Sequence, residues 1–191
     1  KMYKSIDLFA GIGGIRKGFE LACASRGIAA ECVFTSEIKP YAIDVLQQNH
    51  PDEQIAGDIT QIKASDIPDF DVLLGGFPCQ AFSKAGKRKG FEETRGTLFF
   101  YIEKILQVKK PKFIILENVR NLVSHDNGNT WRVIRKHIID CGYRITENPI
   151  IISPHQLGIP QLRERVVILG IYDPDNTDKY LPVDFNEVSI K

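Results

Sequence analysis

The sequence predicts a three-layer α/β fold, in which helices cover both faces of a mostly parallel β-sheet. Short apolar runs typical of buried strands alternate with segments of helical periodicity along most of the 191 residues. Glycines or acidic residues follow several of these runs, at the strand ends where open α/β sheets carry their ligand sites. Two late apolar runs, within residues 143–153 and 166–172, predict an antiparallel pair near the C-terminus.

Composition narrows the classes of protein that need to be considered. Hydrophobic residues make up 43% and charged residues 26%, as in ordinary globular proteins, and the net charge is +1. The four cysteines show neither a CxxC pair nor metal-ligand spacing, so we expect free thiols and no metal. The start of the sequence lacks a secretory signal, and no apolar run reaches the roughly 20 residues of a membrane helix. We therefore expect a cytoplasmic protein.

The first predicted strand, residues 5–9, leads into a glycine-rich turn at residues 10–14 and then into a helix. This arrangement presents backbone N–H groups and a helix N-terminus to a ligand. It is not the dinucleotide fingerprint, because Arg16 occupies the position of the third glycine. Helical spacing predicts a buried face formed by Ile15, Phe19, Ala22 and Cys23.

Two acidic residues follow the next predicted strands. Glu37 ends the strand at residues 31–36, where doubly wound folds bind ribose hydroxyls; the alternative is a helix-capping or solvated glutamate. Asp58 follows a short strand at residues 54–56, where it either receives a ligand amino group or serves as a turn aspartate. A helix opens at Pro40 between them, and its predicted inward side chains are Tyr41, Ala42, Val45 and Leu46.

The central stretch is the apolar strand 71–74 followed by Gly75, Gly76 and then Pro78-Cys79. The glycines allow a sharp turn, and the proline fixes the backbone before the cysteine. A cysteine at the carboxyl edge of a strand is a candidate nucleophile if its thiolate is stabilised. The alternative is a small buried apolar residue in a turn.

A polar segment at residues 83–96 follows this cysteine and carries five basic residues against two acidic ones. Its length predicts a functional lid, and its basic residues suit phosphates; the alternative is a solvated surface loop. Thr97 is then the predicted cap of a helix whose buried side is Leu98, Tyr101, Ile102, Ile105 and Leu106.

The last two motifs place charged residues next to predicted strands. The strand at residues 113–116 leads into Glu117-Asn118, where an apolar sheet edge can raise the pKa of the carboxyl and suit it to donate a proton. A helix at residues 131–139 follows. Gln161, Arg163 and Arg165 alternate along an extended segment and predict an anion or acceptor site, or else a surface ion-pair ladder with Glu164 or other acidic residues.

In this order the motifs resemble the cytosine-C5 DNA methyltransferases, in particular the bacterial enzymes of restriction–modification systems. The resemblance rests on residues 7–14, 37, 57–60, 75–83, 95–98, 117–119 and 161–165. It implies a Rossmann-like fold that depends on S-adenosylmethionine. It also implies methyl transfer to C5 of a cytosine flipped out of double-stranded DNA.

The resemblance gives the motif residues their roles. Cys79 is the nucleophile that adds to C6, Glu117 binds N3 and the amino edge, and Asn118 supports that geometry. Arg165, helped by Arg163, holds the base carbonyl. The residues implied to bind S-adenosylmethionine are Phe9, Ala10, Gly11, Ile12, Gly13, Gly14, Glu37, Ile38, Asp58, Ile59, Pro78 and Leu98. The residues implied to close over the base and bind DNA are Ser83, Lys84, Lys87, Arg88, Lys89 and Arg95.

The sequence departs from the family in two respects. Ile15 and Ile38 stand where the family usually has aromatic residues beside the adenine. The target-recognition region is absent, so we expect a catalytic domain at 1–173, the start of a connection at 174–191, and an enzyme that is either truncated or split. A second polypeptide would carry the recognition region in a split enzyme. We expect weak or no independent activity, and an exposed apolar surface where the missing part packs.

Three alternatives remain at this point. The RNA-directed branch of the same fold uses the same cysteine chemistry on tRNA, although Pro78-Cys79-Gln80 favours DNA. A non-catalytic, DNA-binding regulatory homologue need not keep Cys79, Glu117 and Arg165. A purely structural α/β domain leaves the ordered motifs unexplained.

Overall fold

A computed structural model describes residues 1–79 and 97–182 and confirms the predicted mixed α/β sheet. The α-helices in these ranges are α1 (Gly14–Ala24), α2 (Pro40–Asn49), α3 (Phe99–Lys109) and α4 (Asn129–Asp140). The strands are β1 (Met2–Leu8), β2 (Ala29–Ser36), β3 (Ile55–Ala56), β4 (Val72–Gly75), β5 (Phe113–Val119), β6 (Tyr143–Ile145), β7 (Ile150–Ile152) and β8 (Arg165–Tyr172).

The sheet order is β3-β2-β1-β4-β5-β8-β6, and β7 also pairs with β8. Strands β3, β2, β1, β4 and β5 are parallel, whereas β8 runs antiparallel to β5, β6 and β7. The predicted antiparallel pair near the C-terminus is therefore confirmed, with its first member divided into β6 and β7. Parallel strands place their carboxyl ends at one edge, so β1, β2, β4 and β5 all end where the candidate residues stand.

One face of the sheet is fully covered. Ile6, Leu73 and Ile114 are register partners on β1, β4 and β5, and all three are buried. They belong to one apolar cluster with Ile102 and Leu106 of α3 and with Trp131, Ile134 and Ile138 of α4. This cluster confirms most of the predicted inward face of α3.

The opposite face is only partly covered in the half of the sheet formed by β5 and β8. Ile115 and Leu169 are register partners there, as are Phe113 and Ile171, and all four side chains are half-buried. Ile114, Leu116 and Ile168 are next to them in sequence, point to the other face and are almost fully buried. The first four side chains are half-buried rather than exposed, and the expected apolar surface for further protein stays a prediction.

Three local predictions were wrong. Tyr41 is 66% exposed, because the buried stripe of α2 passes through Ala42 and Leu46 and leaves Tyr41 on its flank. Ala22 is exposed, because the buried face of α1 is centred on Arg16 and Cys23. Helix α3 begins at Phe99 with Leu98 at its N-cap position, so Thr97 stands one residue before the cap.

The remaining boundaries differ by a few residues. Strand β1 begins at Met2 and ends at Leu8, and Phe9 already has a left-handed backbone with φ 53°. Beyond β8, the N–H of Ile145 donates to Lys179 O and the N–H of Leu181 donates to Ile145 O. The chain thus stays against β6 past residue 173, and the proposed domain boundary remains a prediction. No helix in the described ranges is long and apolar enough to span a bilayer.

Gly170 tests the packing between β8 and β5. An added Cβ there would lie 2.6 Å from Ile114 Cγ1 and 2.8 Å from its Cδ1, inside the fully covered face. We expect Gly170→Ala to lower the free energy of unfolding by about 2 kcal/mol, as overpacked cores generally do. Urea unfolding measures this change. Gly18→Ala on α1 is the matched control, since nothing lies within 4 Å of that Cβ; it should be neutral or stabilising by up to about 1 kcal/mol. Equal effects of the two substitutions would contradict the packing described here.

Candidate active site

The glycine-rich turn after β1 is held by backbone contacts to the end of β2. The N–H of Ala10 donates to Ser36 O at 3.2 Å, and the N–H of Gly13 donates to Ala10 O at 2.9 Å. Gly13 has φ 85°, and a Cβ there would lie 3.2 Å from Leu46 Cδ2, so this position requires glycine. Among residues 1–79 and 97–182 no side chain caps the N-terminus of α1, so its first N–H groups suit an anionic ligand group.

Glu37 links this turn to the strand end. The N–H of Gly11 donates to Glu37 Oε2 at 2.6 Å, and the N–H groups of Ile38 and Lys39 donate to Oε1 at 2.8 and 2.9 Å. The Glu37 side chain is buried, so it is not the solvated glutamate of the alternative interpretation. A carboxylate accepts about four hydrogen bonds, and these three leave capacity for a ligand hydroxyl.

The other residues predicted to bind the cofactor lie around this edge in different environments. Asp58 is exposed, and its Oδ1 accepts a hydrogen bond from the N–H of Thr60 in a short 3₁₀ helix. Ile59 is buried in the core, so only its backbone can face a ligand. Ile12, Ile38 and Pro78 are exposed and Leu98 is half-buried. The cofactor roles of all these residues remain predictions.

A buried ionic cluster beneath the turn was missed at the sequence level. Arg16 donates from Nε to Glu20 Oε1 at 2.8 Å and from Nη1 to Glu53 Oε2 at 2.7 Å, which ties α1 to the residues before β3. Asp7 on β1 is 1% exposed, and neither carboxylate oxygen has a hydrogen-bond partner among the described residues. Burial raises the pKa of Asp7 to about 7, although the charge of Arg16 lowers it. Helical periodicity gave no signal, because Arg16 and Glu53 are distant in sequence.

The catalytic candidates meet where β4 and β5 end side by side. Gly75 and Leu116 are register partners, so Gly76 lies next to Glu117. A Cβ on Gly76 would lie 3.3 Å from Glu117 Oε2. The Asn118 side chain is buried, and its Nδ2 donates to Phe77 O at 2.8 Å. Asn118 therefore fixes the backbone two residues before Cys79 to the end of β5.

Glu117 and Arg165 form an ion pair across the antiparallel strands β5 and β8. Arg165 Nε and Glu117 Oε1 are 2.8 Å apart, and both side chains are half-buried. Burial raises the pKa of Glu117, while the charges of Arg165 and Arg163 lower it; the net shift is upward. The upward shift suits a carboxyl that holds a proton for a ligand.

Among the described residues, the side chain of Arg165 forms its ion pair with Glu117 and not with Glu164. Glu164 Oε2 lies 3.7 Å from Arg120 Nε instead, and the side chain of Arg163 is exposed. The N–H of Arg163 donates to the Ser153 hydroxyl at 3.1 Å. Gln161 is exposed and stands in the loop before β8. The structure thus brings Arg165 into contact with Glu117, and the charge of Arg163 is near enough to lower the pKa of Glu117.

Cys79 follows this junction and is half-buried against the core. Burial raises the pKa of its thiol, so Cys79 is mainly protonated at neutral pH in this state. The predicted DNA-binding residues lie outside the described residues: Ser83, Lys84, Lys87, Arg88, Lys89 and Arg95. Within ranges 1–79 and 97–182, no group of three or more His, Cys, Asp or Glu residues is placed to hold a metal ion.

Comparison with known proteins agrees with this geometry. The family described as C-5 cytosine-specific DNA methylase matches residues 3–189. The chain belongs to this family. Type II methyltransferase M.NgoBV of Neisseria gonorrhoeae is 56% identical over 174 residues, which are 87% of this chain and 41% of that relative. Type II methyltransferase M.HaeII of Haemophilus aegyptius is 50% identical over 91% of this chain and 52% of its own length. The chain thus spans about half the length of these family members.

Solved structures confirm the fold. A mutant of DNMT2 from Spodoptera frugiperda aligns with a TM-score of 0.70 at 24% identity, covering 96% of this chain and 56% of that one. The S. pombe Dnmt2 methyltransferase aligns with a TM-score of 0.66 at 24% identity, covering 94% of this chain and 51% of that one. The predicted Rossmann-like methyltransferase fold and the family resemblance are both confirmed.

The buried Asp7 predicts a pH-dependent stability. Its folded pKa of about 7 lies above its ordinary value of 3.8. Between these values the folded protein keeps a proton that the unfolded chain has lost, so stability falls as pH rises, by up to about 1.4 kcal/mol per unit. Asp7→Asn removes this dependence. We expect urea unfolding to show that the stability of the variant relative to the wild type increases from pH 5 to pH 8, on the order of 2 kcal/mol.

The exposed Asp52→Asn is the control for this measurement, and its stability relative to the wild type should change little over the same interval. A stability difference between Asp7→Asn and the wild type that is the same at pH 5 and pH 8 would show that Asp7 has an ordinary pKa.

Proposed function

We propose that this chain is the cofactor-binding and catalytic part of a DNA (cytosine-5-)-methyltransferase of a bacterial restriction–modification system, acting in the cytoplasm. The observation that supports this proposal most directly is the junction where β4 and β5 end and β8 begins. There Asn118 anchors the backbone before Cys79, and Glu117 pairs with Arg165 at the same edge. The membership of the family supports this assignment.

The residues of the β1–β2 edge fit S-adenosylmethionine. The uncapped N-terminus of α1 suits the carboxylate of the methionine part, and the remaining capacity of Glu37 suits the ribose hydroxyls. Asp58 stands on the exposed side, where it would meet the adenine amino group. S-adenosylmethionine, when bound, supplies a methyl group activated by its positively charged sulfur. Phe9, the turn at residues 10–14, Ile38, Ile59, Pro78 and Leu98 complete the proposed site.

The catalytic residues then act on the cytosine ring. The Cys79 thiol, which is mainly protonated in the state described, first loses its proton to water. The thiolate then adds to C6, which breaks the ring's conjugation and makes C5 nucleophilic. Glu117 supplies a proton at N3 and binds the amino group, while Arg165 and Arg163 hold the carbonyl O2. N3 and C2–O2 are adjacent on the ring, so a carboxyl and a guanidinium held 2.8 Å apart match them as a pair. After C5 has been methylated it loses its proton to water, the Cys79–C6 bond breaks to restore the ring, and N3 returns its proton to Glu117.

DNA and the remaining part of the protein enter this proposal as partners. The cytosine must be flipped out of the duplex, because C6 is inaccessible within stacked base pairs. The basic residues at 83–96 are proposed to bind the phosphates around it. The half-buried face of β5 and β8 and the partial coverage of the relatives support a requirement for further protein, in the same chain or in a second polypeptide.

Methyl transfer tests the function. The chain is assayed with radiolabelled S-adenosylmethionine and either duplex DNA or tRNA, alone and together with the remaining length of a relative. We expect label only in DNA, recovered as 5-methylcytosine. Cys79→Ser should lower the rate of methyl transfer at least about a thousand-fold, because removal of a nucleophile has effects of this order. Cys23→Ser is the matched control and should retain activity. Label in tRNA would favour the RNA-directed alternative, and unchanged activity in Cys79→Ser would exclude the mechanism.

A further inference from the structure

Ser153 occupies a special position at the end of β7. The β7–β8 ladder ends with Ile152 opposite Arg165, and Ser153 is the next residue, only 1% exposed. Its hydroxyl accepts the N–H of Arg163 at 3.1 Å and lies 2.9 Å from His155 Nδ1. Its own N–H donates to Gln156 Oε1 at 2.9 Å. The serine thus continues the connection between the strands after the backbone ladder stops.

Hydrogen bonds, rather than apolar packing, shape the loop between Ser153 and Arg163. Leu157, Ile159 and Leu162 of this loop are exposed, with Leu162 at 84%. The N–H of His155 donates to Gln161 O, and the N–H of Ile159 donates to Pro154 O, both at 3.1 Å. Because the loop has little apolar burial, the buried hydroxyl of Ser153 is its main fixed point next to β8.

We propose that Ser153 is a positioning residue, which holds Arg163 and Arg165 at the start of β8 so that their charges face Glu117. The inference rests on the proposed function, in which these three side chains bind the cytosine. Arg165 is already 2.8 Å from Glu117 at this point, and Arg163 is fixed through its backbone to Ser153. A shift of the Arg163 backbone therefore moves both charges relative to the carboxyl.

The first test uses the charge on Glu117 as its reporter and needs no activity. The two arginine charges lower the pKa of Glu117 against the effect of burial. We expect Ser153→Ala to raise the Glu117 pKa further, measured by carbon-detected NMR titration of the carboxyl in this chain. Ser153→Thr keeps a hydroxyl and should restore the wild-type titration. Ser65→Ala, at an exposed serine in another part of the chain, is the matched control and should leave it unchanged.

The second test measures catalysis in the preparation where the wild type transfers methyl groups. We expect Ser153→Ala to lower kcat by roughly ten- to a hundred-fold, as small displacements of catalytic groups do, with KM for S-adenosylmethionine unchanged. Ser153→Thr should recover most of that loss. Circular dichroism and thermal unfolding establish that each variant is folded.

The outcomes separate this inference from the proposed function. A Glu117 titration that is the same in wild type and a folded Ser153→Ala overturns the positioning role. So does a titration shift accompanied by an unchanged kcat, because Ser153 would then serve the loop alone. A wild type without activity in any preparation counts against the proposed function, and the titration still decides whether Ser153 holds the arginine charges at Glu117.

Discussion

Strand β5 is paired on both sides, and the arrangement of the site depends on this double pairing. Its parallel register with β4 places Glu117 beside Gly76, and its antiparallel register with β8 places Val119 opposite Arg165. A shift of either register by one residue would turn Glu117 or Arg165 to the opposite face of the sheet. The buried hydrogen bond from Asn118 to Phe77 extends the same constraint to the backbone that precedes Cys79. Three distant sequence motifs thus become one site because one strand connects them.

The charged groups around the edge are stabilised in different ways. Glu37 accepts three backbone N–H bonds, whereas Asp7 has no such partner among the described residues. Glu117 has a guanidinium partner, yet burial still raises its pKa. The edge therefore offers an acceptor carboxyl held by backbone N–H groups near the glycine turn and a carboxyl with a raised pKa near the cysteine. The proposed chemistry needs this division, since ribose binding uses an acceptor and activation of cytosine uses a proton donor.

Sequence reasoning succeeded where the signal was local. The alternation of apolar runs and helical segments predicted the sheet, and glycines or carboxyl groups after strands predicted the edge that carries Glu37, Cys79 and Glu117. It failed where contacts join distant residues. Buried Arg16 bonds to Glu53, which is 37 residues away in sequence, and Ala22 of the same helix is exposed against expectation. The sequence pattern assigned no role to Ser153, because only the fold brings the N–H of Arg163 to its hydroxyl.

Covalent trapping tests the central claim, that this sheet edge presents Cys79 to C6 of a cytosine. Duplex DNA with 5-fluorocytosine at many positions is incubated with S-adenosylmethionine and the chain, alone and together with the remaining length of a relative. Fluorine at C5 blocks the final elimination, so a reacting cysteine stays bound to DNA and is mapped by mass spectrometry. The account predicts an adduct on Cys79, strongest in the completed preparation. An adduct confined to Cys23, Cys32 or Cys141, or no adduct in a completed and folded preparation, would contradict it.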